Sequence, residues 1–268
     1  MNAMNKGQKE SQKTTRLRAE EARKAAEAVQ HKIDVRNKVI GVVVVVALVG
    51  AIFGGVYWSK KGDAANTTSP SSTAALPTGV KSDTYGVSYG TGTDKVPQLQ
   101  LWEDFQCSAC EQVEKANGAG IRQLATQGDL RLLWRPTTIL DDNLKNTASI
   151  AAASAWGCAI EAGKGPEYHD TVFANWAQEG VGYPQATLLG FGTKAGITGA
   201  AYSKFEACVK ANTYNGWIAN SRQAFDNAGV SSTPTGTLVF GDKSTELTND
   251  VLYDNTKLKA AVAKIMQS

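Results

Sequence analysis

The chain has 268 residues, with 28 Lys and Arg against 25 Asp and Glu, and four cysteines. Its net charge of +3 is unevenly divided: residues 1–61 hold twelve basic and five acidic side chains, and the rest holds sixteen basic and twenty acidic. The mildly acidic larger part argues against nucleic acid as a partner, which would ask for a basic face.

Residues 1–38 carry ten Lys and Arg. The Ala, Glu, Arg and Lys composition from Arg16 to about Val29 favours a helix. The segment reads as a solvated, topology-setting tail, with anionic lipid as the other candidate surface. Residues 39–58 contain no charge. Twenty helical residues span roughly 30 Å, the thickness of a hydrocarbon core. Tyr57 and Trp58 close the run with rings suited to the interface. A cleaved signal peptide would have an apolar stretch of about 7–15 residues and a short basic flank. A transmembrane signal anchor is therefore expected. Only Lys60 and Lys61 flank it on the far side, so the N-terminus is expected in the cytoplasm and the C-terminal part outside the cell membrane. All four cysteines then lie where disulfides persist. Residues 59–80, rich in Ser, Thr, Ala, Gly and Pro, read as a flexible tether, with a glycosylation sequon at Asn66-Thr67-Thr68.

Residues 81–268 are enough for one domain with a full core. A short extended piece is expected at about Gly86–Tyr89 and a buried strand at Leu99–Phe105. A helix is expected from Cys110 to about Gln127, and a second buried strand at Leu130–Arg135, ending at Pro136. A mostly helical stretch follows from about Leu144 to Ala228, so the insertion is placed at about 143–228. Leu238-Val239-Phe240 reads as a hairpin strand turning at Gly241-Asp242, with Ser244–Leu247 as its partner. Tyr253 to Met266 closes the chain as a helix, with Leu258, Val262 and Ile265 on one face. This is the order of an α/β thioredoxin fold with a helical insertion.

Cys107-Ser108-Ala109-Cys110 stands at the strand-to-helix junction. A helix start offers unpaired N–H groups and a positive dipole end. Both favour a thiolate, the form that attacks disulfides. Cys107 is expected at the exposed helix start and Cys110 one turn deeper on the same face, as a nucleophile with a resolving cysteine behind it. Zinc prefers a second Cys-x-x-Cys or a His-x-x-x-His run. Neither occurs, and His31 and His169 fall on opposite sides of the expected span, so no metal site is assigned. Asp104, three residues before Cys107, is either an acid that tunes proton transfer at Cys110 or a solvent-facing strand end. Trp102, Trp134 and Trp156 read as core residues.

Four segments together resemble the DsbA-like thiol-disulfide oxidoreductases, in particular the membrane-anchored type of Gram-positive actinobacteria. They are Glu103-Asp104-Phe105-Gln106-Cys107-x-x-Cys110; Arg131-Leu132-Leu133-Trp134-Arg135-Pro136; Tyr168-His169-Asp170 with Phe173-Ala174-Asn175; and Gly229-Val230-Ser231-Ser232-Thr233-Pro234-Thr235. The resemblance covers about residues 85–268. It implies a cis Thr233-Pro234 bond beside the Cys-x-x-Cys, offering backbone groups to an extended substrate. It implies no cofactor, and a membrane re-oxidising partner of the VKOR or DsbB type. Family members often carry Pro and an aromatic or His where this chain has Ser108 and Ala109. Neither residue supplies charge to tune the Cys107 pKa. Cys158 and Cys208 are expected to form a second disulfide within the insertion, structural in role, with a re-oxidising relay as the alternative.

The expected activity is donation of the Cys107–Cys110 disulfide to exported proteins with free thiols, with Thr233 and Pro234 binding the substrate chain. A membrane-anchored reductase or isomerase is the second enzyme reading. A non-catalytic DsbA-like binding module is the third.

Overall fold

The computed structural model describes residues 69–267. The basic tail, the apolar run 39–58 and the first part of the tether lie outside these residues. Among the described residues, no helix is long and apolar enough to cross a membrane.

Five strands form one sheet in the order β1-β3-β2-β4-β5. They are β1 (Val87–Tyr89), β2 (Gln98–Glu103), β3 (Arg131–Pro136), β4 (Thr235–Phe240) and β5 (Lys243–Leu247). β2 and β3 are parallel, with Leu101 opposite Trp134 and Glu103 opposite Pro136. The other pairings are antiparallel. Leu99, Leu101, Leu132 and Trp134 are buried in this centre, because parallel strands joined by a helical crossover are covered on both faces.

The crossover is one helical run in three parts: α1 (Ser108–Val113), a π turn (Glu114–Gly118) and α2 (Ala119–Gln127). Gly128 ends it at φ +79°, where its N–H and that of Asp129 bond back to Ala125 and Leu124. A left-handed residue of this kind is glycine's usual place. At Gly118 a side chain would collide with the Glu114 carboxylate. The glycine therefore lets Glu114 fold inward, where its side chain is 4% exposed.

Between β3 and β4 lie α3 (Ile139–Leu144), α4 (Ala148–Glu161), α5 (Gly165–Ala174), α6 (Gln185–Lys194), α7 (Gly199–Lys210) and α8 (Asn215–Asn227). α4 is buried almost along its length, from Ser149 to Ala159. Its small residues allow neighbouring helices to approach, and a Cβ at Gly157 would meet the Tyr214 ring at 2.7 Å. Cys158 in α4 and Cys208 in α7 are joined by a disulfide. After β5 come α9 (Asn249–Leu252) and α10 (Asn255–Gln267). α10 buries Leu258, Val262 and Ile265, as its periodicity predicts.

Three differences from the expected elements have physical causes. α1 begins at Ser108, not Cys110, because Cys107 itself caps the helix. β4 begins at Thr235, before the apolar triplet, since Trp102 pairs with Thr235 and Leu101 with Gly236. The tether does not run free to residue 80. Ser71 N–H donates to Asn220 Oδ1 at 2.8 Å, and Asn220 Nδ2 donates to the Ser71 carbonyl at 2.8 Å. Thr78 N–H donates to Glu161 Oε1 at 2.6 Å. Val80 is buried in the core.

Candidate active site

Cys107 takes the N-cap position with extended backbone, φ −72° and ψ 120°. Its sulfur accepts from Cys110 N–H at 3.4 Å. Its thiol also donates to the Thr233 carbonyl at 3.3 Å. Cys107 is 6% exposed, so the expectation of an exposed nucleophile is corrected: the 232–234 loop closes over the helix start. Both thiols are free. The hydrogen bond from Cys110, opposed by burial and helped by the Thr233 side chain and the N–H groups of Cys110 and Ala109, lowers the Cys107 pKa to about 7. Burial, together with the neighbouring Cys107 sulfur, pushes Cys110 well above its ordinary value. Two residues of one type are thereby separated into a poised nucleophile and a reluctant acid.

Thr233-Pro234 is cis, as the resemblance implies. Asp104 is fully buried, which rules out the solvent-facing strand end. It accepts from Ser149 Oγ at 2.6 Å, Gln106 N–H at 2.9 Å and Leu140 N–H at 3.0 Å. Burial outweighs these bonds and raises its pKa to about 6. Gln106 ties the strand end to the insertion: its Nε2 donates to Asp141 Oδ1, Asn146 Oδ1 and Ser149 Oγ at 2.7–2.9 Å. Ala109 is half-buried against the core. Ser108 does supply contact, for its N–H and hydroxyl both donate to Glu179 Oε1, at 2.9 and 2.7 Å.

Beneath the cysteines lies a charged cluster that the sequence reading did not assign. His169 Nε2 is 3.1 Å from Glu103 Oε2. The ring sits among Phe105, Trp134, Trp156 and Phe173. Burial pushes the imidazolium down, but Asp170 and Glu103 outweigh it and raise His169 to about 9. Burial, with the Glu114 charge, raises Glu103 to about 7 despite His169. The Glu103 charge also acts on both thiols and helps to raise Cys110. Arg122 bridges Glu114 and Asp170 at 2.9 Å each, at a cleft of about 360 Å³ lined also by Glu111, Lys115 and Phe173. Ligand atoms of Glu103, Glu114 and His169 lie within 4.8 Å of one another. The bound Arg122 and the imidazolium already offset their negative charge. The sequence signals for this cluster are the two segments that carry the resemblance, which hold Glu103 and His169-Asp170, and the alternation of β2, which turns Glu103 away from Trp102.

The Thioredoxin family model matches residues 86–251. No curated protein sequence matches the chain. Similar solved structures include the MdbA thiol-disulfide oxidoreductase of Actinomyces oris, at 21% identity over 74% of this chain and 96% of that one, with a TM-score of 0.60. BdbD of Bacillus subtilis is 13% identical over 73% of this chain and 100% of its own, with a TM-score of 0.57. Oxidised Mtb DsbA is 20% identical over 68% and 93%, with a TM-score of 0.55. The chain belongs to the thioredoxin family and has the DsbA-like fold of these structures.

Proposed function

We propose that the chain is a thiol-disulfide oxidoreductase working in the oxidising direction, donating its Cys107–Cys110 disulfide to exported proteins. The observation that carries this reading is the contrast between the two thiols: Cys107 lowered to about 7 at a helix start, and Cys110 buried and raised behind it. Stabilising the Cys107 thiolate stabilises the reduced protein, which makes the disulfide a better oxidant.

A substrate thiolate attacks Cys107 Sγ, forming a mixed disulfide and releasing Cys110 as a thiolate. Cys110, buried and raised well above its ordinary value, takes a proton. A second substrate thiolate attacks the substrate sulfur of the mixed disulfide and releases the Cys107 thiolate. The substrate loses two electrons and the Cys-x-x-Cys gains them, ending with Cys110 protonated and Cys107 as the thiolate; the remaining substrate proton goes to solvent. A membrane partner of the VKOR or DsbB type accepts the electrons when the pair is re-oxidised. Thr233 and Pro234 present backbone to the substrate chain beside Cys107. The 39–58 signal anchor holds the domain outside the cell membrane, with residues 1–38 in the cytoplasm. Cys158–Cys208 serves as a structural brace.

One observation favours a second reading, as a reductase: Ser108 and Ala109 bring no positive charge, and a carboxylate, Glu179, lies on Ser108. The equilibrium of Cys107–Cys110 with glutathione separates the two. An oxidase is reduced by millimolar glutathione and, as Cys110→Ala with Cys107 first converted to its mixed disulfide with glutathione, exchanges that glutathione for a reduced test protein and accumulates the mixed disulfide. A pair that stays oxidised against glutathione, with no trapped species, sinks the oxidase reading.

A further inference from the structure

Residues 175–184, between α5 and α6, fold over the start of the Cys-x-x-Cys helix. Trp176 Nε1 donates to the Gln106 carbonyl at 3.1 Å, and the Tyr183 hydroxyl donates to the Phe105 carbonyl at 3.0 Å. These two bonds fix the loop. The third contact is of a different kind, because Glu179 brings a carboxylate onto the Ser108 N–H and hydroxyl. Ser108 N–H is among the unpaired donors of the helix start, the same end that stabilises a Cys107 thiolate. Among the described residues, no ion pair includes Glu179, so no cation cancels its charge there. Its field already reaches the site, since it contributes to raising Asp104.

We propose that Glu179 is a positioning residue of the exchange reaction. Its fixed negative charge shares the helix start with the Cys107 thiolate and holds the Cys107–Cys110 disulfide less oxidising than the helix alone would make it. This rests on the oxidoreductase reading above. The carboxylate is present in both redox states, but a thiolate exists only in the reduced one. Repulsion between the two anions therefore falls on the reduced form and shifts the equilibrium toward the disulfide. Ser108 gives the carboxylate its seat. A proline at that position would have no N–H to offer, and an alanine no hydroxyl. The dipeptide that brings no charge of its own thus acquires one from across the fold.

The test compares wild type, Glu179→Gln and Glu179→Ala as full chains in detergent. Thiolate absorbance against pH reads the Cys107 ionisation, and equilibration with glutathione reads the disulfide. Gln keeps an oxygen to accept both Ser108 bonds but removes the charge. Both variants are expected to lower the Cys107 pKa. Both should make reduction by glutathione roughly two- to five-fold more favourable, the range of an anion at a helix N-terminus. Added salt should move wild type toward the Gln variant, because Glu179 is exposed and its charge is screened. If Gln restores wild-type values and only Ala differs, Glu179 merely fixes the loop and the proposal is overturned. Unchanged values in both variants overturn it as well. A wild-type pair that never exchanges with glutathione defeats the oxidoreductase reading instead, while the thiolate titration still reports on Glu179.

Discussion

Cys107 and Cys110 differ in surroundings, not in chemistry, and that difference yields a pH dependence. The Cys107 thiol is lowered to about 7 from an ordinary 9.0. In the reduced protein the native state therefore sheds this proton before the unfolded state does, so the unfolded state holds more protons between those values. Stability rises with pH wherever that holds. The contribution is absent below about pH 7, grows from there to pH 9 and is complete above. Two pH units correspond to about 3 kcal/mol at most. His169 titrates in both redox forms, and a Glu103→Gln background removes the acid whose charge acts on the thiols, so in that background the reduced-minus-oxidised difference in melting temperature reports Cys107 below pH 9. That difference should move in favour of the reduced form from pH 6 to 9. A difference independent of pH would show that the helix start does not hold a thiolate.

At the scale of elements, the disulfide between α4 and α7 joins residues 50 apart in sequence. Closing a loop of that length stabilises by roughly 4 kcal/mol in the chain-entropy model. Cys158 is 1% exposed, which leaves little room for the attack that a relay requires. Replacing both Cys158 and Cys208 with Ala should lower the melting temperature by several degrees and leave the Cys107–Cys110 equilibrium with glutathione unchanged. Lost turnover at unchanged stability would favour the relay. The π turn at Glu114–Gly118 is the other element with a consequence. Such turns often mark functional sites. Here Glu114 opens the turn and its carboxylate joins Glu103 and His169.

For the molecule as a whole, the folded unit begins earlier than composition suggests. Residues 71–80 lie on the helical insertion through the Ser71–Asn220 and Thr78–Glu161 bonds and bury Pro77 and Val80. A chain beginning at Lys81 should unfold at lower denaturant than one beginning at Ser69, by about 2 kcal/mol for the lost burial and bonds. Equal midpoints in urea would mean the segment contributes nothing. Ser71 bonds to Asn220 through its backbone N–H and carbonyl, and Thr78 to Glu161 through its backbone N–H and its hydroxyl; composition reports side chains, which is why it missed the attachment.

The sequence by itself determined the sheet's central strands, the closing helix and the position of the Cys-x-x-Cys. These depend on local periodicity: buried Leu and Trp in β2 and β3, Leu258, Val262 and Ile265 at helical spacing, and cysteines at a strand-to-helix junction. Resemblance added the cis bond at Thr233-Pro234, which no spacing rule could supply, and supported the pairing of Cys158 with Cys208, the two cysteines left outside the Cys-x-x-Cys. Only the tertiary structure decided which polar groups meet. Glu103 and His169 are 66 positions apart, Ser108 and Glu179 are 71 apart, and Cys107 and Thr233 are 126 apart. Asp104 shows the same limit in one residue. An acid at a strand end looks alike whether it faces water or Ser149, and only the folded insertion brings Ser149 and Leu140 onto it. Burial and partner charge set the pKa of each of these groups, and both depend on the packing of distant segments.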